Sequence, residues 1–259
     1  MTDSSRFLRT AERLTPFDLA RRAARGAIWS PTAEGTSMNA QVHPIAHAGS
    51  ALATNKVLRN AYILLGMSLA VAAITAWFAL ASNAAPVHWI VMLAVFIGGP
   101  LIIAKISRSA ASVPAMLVYT AATGWFLGPF VGMYLTRVPG GDAVVINALA
   151  TTAIVFVAMS AIALTSRRDF SFLRGFVVTG LIVALLAMVA NIFLAIPALS
   201  LAISAAVVLL MSGLILWRTS EVVNGGEDNY VLVTLDLYTS IYSLFVHLMN
   251  LFGFASGDD

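Results

Sequence analysis

Seven long apolar runs dominate this chain, and they restrict it to one class of fold. They cover roughly residues 61–82, 87–104, 113–136, 143–165, 172–195, 198–217 and 230–252. Each is near the twenty or so residues that a helix needs to cross a bilayer core. Inside lipid a backbone must satisfy its own hydrogen bonds, so seven such runs predict seven spanning helices. Composition agrees: 59% of residues are hydrophobic and 10% are charged, where a soluble domain carries about 25% charged residues. Mean hydropathy is +0.88. The links Ser82-Asn83-Ala84-Ala85-Pro86, Pro139-Gly140-Gly141-Asp142 and Ile196-Pro197 are short, which makes consecutive helices antiparallel neighbours. The expected fold is an all-α membrane protein, a bundle of seven helices in contact with the bilayer.

The first 54 residues are polar and rich in small residues, and are expected to form a disordered tail. Pro16 to Ala27 reads as a basic amphipathic helix on a membrane surface. Residues 1–37 are rich in Ala and Arg, and Met38 is an alternative start. The membrane domain is expected over 55–259. Fourteen of the fifteen Lys and Arg fall on one side of the predicted spans, and Arg137 alone falls on the other. The positive-inside rule then puts the tail in the cytoplasm and the C-terminus outside. These basic residues sit beside spans, so topology accounts for them and nucleic acid is not an expected partner. With no Cys, disulfides and thiolate metal sites are excluded. His43, His47, His88 and His247 show no metal-binding spacing on a common helix: His43 and His47 are four apart, but Pro44 lies between them in a polar tail, and no cofactor is expected.

The seventh run is the most informative. It alone carries a carboxylate, Asp236. Asp236, Ser240, Ser243, His247 and Asn250 recur at helical spacing and share one face. A charge facing lipid is costly, so this face is expected to point into the bundle. For Ser243, His247 and Asn250 two readings stand: hydrogen-bonded contacts between helices, or part of a functional polar face. Arg218 follows the sixth run, and Asp236 lies six residues into the seventh, about 9 Å along the helix. The turn Asn224 to Asn229 joins the two runs, so an Arg218–Asp236 ion pair is expected, with one carboxylate opposite one arginine.

Other features carry simpler expectations. Gly124, Gly128 and Gly132 form a small-residue face, read as close packing within the monomer or, alternatively, as a dimer seam. Asn147 and Asn191 are expected to bond between helices. Trp89 and Trp217 read as interface markers, and Pro100 as a kink. No Ser–His dyad on different spans, paired carboxylates or HExxH pattern is recognised, so no catalytic residue is assigned.

From residue 55 onward the chain resembles the Bax inhibitor family. The stretches that carry the likeness are NKVLRNAYILL (55–65), AAITA (72–76), FLGPF (126–130), SRRDFSFLRG (166–175), AMVANIFLAIPALSLAIS (187–204), NGGEDNYV (224–231), LYTSIYSLF (237–245) and LFGFAS (251–256). Their order and spacing carry it together, over about four fifths of the chain. The resemblance implies a seven-helix bundle with the last helix near its centre. It also implies a calcium leak governed by two aspartates, in patterns resembling L-[FY]-D-T and D-L-[FY]-L-D. This chain departs at both, with Leu216-Trp217-Arg218-Thr219 and Asp236-Leu237-Tyr238-Thr239-Ser240. A bacterial branch of the family implies another role, as partner and slow substrate of the FtsH membrane protease. The tail would serve as the grip. The alternative function is a pH-sensitive calcium or proton leak along the polar face.

Overall fold

The computed structural model describes residues 43–166 and 168–257. It contains helices α1 (His43–Ala81), α2 (Trp89–Ile106), α3 (Ser112–Arg137), α4 (Gly141–Ser166), α5 (Leu173–Leu194), α6 (Pro197–Val223) and α7 (Tyr230–Ala255). All seven are long and apolar enough to cross a membrane, α1 from Lys56 to Ala81. Two boundaries differ from expectation. Helix α1 begins at His43, well before the first apolar run. Pro44 sits in the first turn, where proline is tolerated, and the Ala-rich sequence after it extends an already nucleated helix at little cost. Helix α6 runs six residues past its apolar stretch and stops at Asn224-Gly225-Gly226, where Gly225 adopts φ 75°. The segment 16–27, the alternative start at Met38 and the side chains of His43 and His47 lie outside the described residues.

The last helix is the centre of the bundle. Over its most apolar stretch α7 is 56% buried, against 6–33% for the other six. It packs against α6, α4, α3 and α2. Thr234 also donates to the Ala61 carbonyl of α1, at 3.1 Å. An aromatic face of α7 that the spacing of its polar residues does not reveal fills the space toward α2 and α3. Tyr238 meets Tyr119 edge-on at 6.0 Å, and Tyr242 lies 5.1 Å from Phe96. The Tyr238 and Thr123 hydroxyls share a hydrogen bond of 2.7 Å. Thr123 is also within bonding distance of the Tyr119 and Thr120 carbonyls, so it keeps a partner if that bond is lost. Tyr238→Phe should therefore cost only about 1 kcal/mol. A loss of several kcal/mol in detergent unfolding would show that the hydroxyl matters beyond this bond.

The glycine face of α3 packs inside the monomer. A Cβ on Gly124 would stand 2.2 Å from Thr75 Oγ1 and 2.4 Å from the Ala72 carbonyl, both on α1. One on Gly128 would stand 2.6 Å from the Ala76 carbonyl. Three polar expectations are corrected. Asn191 caps its own helix, accepting from Ile196 N at 3.1 Å, because α5 ends four residues later in a left-handed Ala195 (φ 51°). Asn147 is exposed and makes no described side-chain bond, within two turns of the start of α4. Trp89 is 63% exposed, as an interface residue is, but Trp217 is 7% exposed. Its ring lies within cation–π range of two guanidinium groups, Arg218 at 5.0 Å and Arg174 at 5.8 Å.

Candidate functional site

The α6–α7 turn brings Arg218 back over Asp236. Arg218 Nε donates to Asp236 Oδ2 at 2.5 Å, and Nη2 meets the same oxygen. Nη1 donates to Glu221 Oε2 at 2.5 Å and lies 3.9 Å from Glu227 Oε2. One arginine therefore holds three carboxylates, and the expectation of a single opposing acid is corrected. Glu221 was legible in the sequence, since it lies three residues after Arg218 and α6 remains helical that far. Glu227 was not, because it reaches the arginine only through the path of the turn. The Arg218 side chain is 15% exposed, and Glu221, Glu227 and Asp236 are 22%, 19% and 32% exposed. At this partial burial the pairing is screened less than at an open surface, and the acids outnumber the cation.

Neighbouring loops are tied to the cluster. Glu227 Oε1 accepts from the backbone of Asp228 and Asn229 at 3.1 and 3.0 Å. Asn229 Oδ1 caps α7 by accepting from Val231 N and Leu232 N, and its amide donates to the Ser107 carbonyl in the α2–α3 link. Ser220 donates to the Arg168 carbonyl and accepts from Phe170 N, which fixes the α4–α5 link to α6. The NGGEDN turn is thus a structural hub: it stops α6, starts α7 and places Glu227.

The rest of the polar face does not join this cluster. Ser240 is buried and donates back to the Asp236 carbonyl at 2.7 Å. Ser243 is half-buried and has no described side-chain hydrogen bond. Eleven residues after Asp236, roughly 16 Å along the helix, His247 Nδ1 lies 3.1 Å from Ser204 Oγ of α6. Asn250 Nδ2 donates to the same Ser204 at 2.8 Å and to Ser200 at 3.3 Å. A Ser–His pair on different spans therefore exists, contrary to the sequence reading, which had no way to align α6 with α7. The pair lacks the parts of a hydrolytic site. Ser204 is 1% exposed and shared with Asn250, and among the described residues His247 has no carboxylate partner. Its chemistry is that of a polar contact joining two helices. Among the described residues no group of three or more His, Asp or Glu has the geometry to hold a metal.

Fold and site together define a seven-span helical membrane protein with a central last helix and an arginine-clamped acidic cluster at the α6–α7 turn. The chain belongs to the Bax inhibitor family: the family described as "Inhibitor of apoptosis-promoting Bax1" matches residues 54–257. Among its relatives, the "Modulator of FtsH protease YccA" of Escherichia coli K12 is 43% identical over 209 residues, 81% of this chain and 94% of that protein. The "Inner membrane protein YccA" of Escherichia coli O6:H1 is similar to the same extent. An uncharacterized protein of Pseudomonas aeruginosa is 41% identical over 203 residues, 78% of this chain and 91% of that one.

Proposed function

We propose that this protein is a bacterial inner-membrane regulator that binds an FtsH-type membrane protease and modulates it, with no catalysis of its own. The observation that carries this reading is the 43% identity to a relative named for that role, over nearly its whole length. A second feature supports it. Arg218 occupies the position where the resemblance implies the first aspartate of a leak pathway, and a fixed cation among the acids opposes the passage of another.

In this reading the residues before the first span are what the protease grips. An ATP-driven unfoldase needs a segment it can seize without first opening the bundle. None of the seven spans needs this segment to satisfy its backbone. Deleting residues 39–52 should leave membrane insertion intact and lengthen the protein's half-life several-fold. The variant should also act as a stronger brake on degradation of other substrates of the protease. Pulse–chase in cells with and without the protease checks this, and an unchanged half-life would count against the tail as the grip.

Topology is a further expectation of the same reading. The segment before Lys56 and the loops holding Arg108, Arg168 and Glu227 lie in the cytoplasm, and Gly140 and Asp259 lie outside. Compartment-specific reporters fused at Gly140 and Asp259 should both report the periplasm. A cytoplasmic signal from either position would overturn this orientation.

The surplus of acids around Arg218 favours one competing reading, a calcium or proton leak through this end of the bundle. It forecasts flux into liposomes that Asp236→Asn abolishes. The regulatory reading forecasts background flux from both proteins.

A further inference from the structure

Helices α5 and α6 touch closely toward their Arg-rich end. A Cβ on Gly180 would stand 2.5 Å from Leu210, and one on Gly213 would stand 3.2 Å from Val177. Along this seam small residues such as Ala187, Ala202 and Ala206 leave an open groove on the outer face of the bundle, running past Gly180 and Leu210 to Gly175, with a volume of about 760 Å³. Of the side chains lining it, only Thr179 carries a heteroatom. A carbon-walled groove of this size beside lipid is filled by something apolar, since empty space leaves its lining without dispersion partners.

The residue just before the first groove residue on α5, Gly175, is Arg174. It is exposed and stands in the first turn of α5, at the depth of lipid headgroups. Its guanidinium lies over the ring of Trp217, which is on the same face of α6 as the groove residues Ile203, Ala206 and Leu210. The two cations beside that ring differ. Arg218 is clamped by acids, whereas Arg174 has no carboxylate within ion-pairing distance among the described residues. A buried aromatic thus holds an uncompensated cation at the mouth of an acyl-sized groove.

We infer that this groove is a binding site for one anionic phospholipid, with its phosphate on Arg174 and an acyl chain lying between α5 and α6. Basic positions between spanning helices suit anionic headgroups, and the groove supplies the apolar half of the same ligand. A partner's helix, about 10 Å across, does not fit between two helices that touch at Gly180 and Leu210. An acyl chain does. This site stands apart from the Arg218 cluster and does not depend on the regulatory reading.

The test is native mass spectrometry of the purified full chain in detergent, with added phosphatidylglycerol or phosphatidylcholine carrying identical oleoyl chains. The wild-type chain should hold one phosphatidylglycerol at a concentration roughly tenfold below that needed for phosphatidylcholine. Arg174→Gln should reduce phosphatidylglycerol to the phosphatidylcholine level, and Arg174→Lys should keep part of the preference. Ala206→Phe, which fills the groove from an exposed position, should weaken both lipids. Ala202→Phe serves the same purpose if the first variant does not match the wild-type melting temperature without lipid. Equal retention of the two lipids by the wild type overturns the inference. So does unchanged phosphatidylglycerol binding in Arg174→Gln or in the groove-filled variant. Ala206→Cys gives the chain its sole cysteine, and cross-linking from it to another polypeptide in native membranes, instead of to lipid, would also overturn it.

Discussion

Arg218→Met should destabilise the bundle by about 3–5 kcal/mol, more than removal of any one of the acids around it. The arginine is the shared partner of Asp236, Glu221 and Glu227, so its loss leaves three partly buried carboxylates facing one another. Asp236→Ala takes away one of those acids, and Glu221 at 2.5 Å still pairs the guanidinium. Its cost should be smaller, about that of a charged hydrogen bond, 1.5–3 kcal/mol. Arg218→Met combined with Asp236→Leu should recover part of the loss, because Glu221 and Glu227 then remain at the end of the bundle with access to water. Unfolding by denaturant in detergent measures all three variants. If Asp236→Ala proves the more damaging single change, the cluster is not organised by the arginine. If the double variant recovers nothing, the two residues are not coupled.

Gly124→Ala should cost about 1–3 kcal/mol, although it adds a single methyl group to a helix. The methyl has nowhere to go: Thr75 Oγ1 is 2.2 Å away, and the Ala72 carbonyl and Cα are 2.4 and 2.7 Å away. Two of these three obstacles are backbone, so no rotamer change relieves the clash and α1 must move off α3. Gly66→Ala is the matched control. A Cβ there meets nothing within 4 Å, on an exposed face of α1. That change should be neutral or stabilise by up to about 1 kcal/mol, because alanine loses less backbone entropy than glycine in a helix. Opposite signs at two glycines locate the α1–α3 seam. Equal and small effects would mean that this seam is loosely packed.

Much of the architecture was open to a reading of the chain alone. The seven spans stand where the apolar runs put them, because hydropathy and length are local properties. The family was legible as well, from ordered stretches such as NKVLRNAYILL and NGGEDNYV, and the comparison with known proteins supports it. The glycine face of α3 was visible, but the choice between an internal seam and a dimer seam needed the position of α1. In the candidate site, helical spacing put Asp236, Ser240, Ser243, His247 and Asn250 on one side of α7. It could not say that this side divides between a charged cluster at one end and Ser200 and Ser204 at the other.

What the sequence by itself determined is how many helices cross the membrane, which residues form them and which residues share a face. In lipid each helix closes its own backbone hydrogen bonds, so these features are written within single segments. The tertiary structure decided how each helix is rotated against its neighbours. That rotation put α7 at the centre, buried Trp217 beside Arg218 and set Ser204 against His247. With the turn that folds Glu227 back beside Glu221, it also gave Arg218 three carboxylates instead of one. Rotation is fixed by side chains from different helices packing together, and the period of any one helix carries no record of which partner its face will meet.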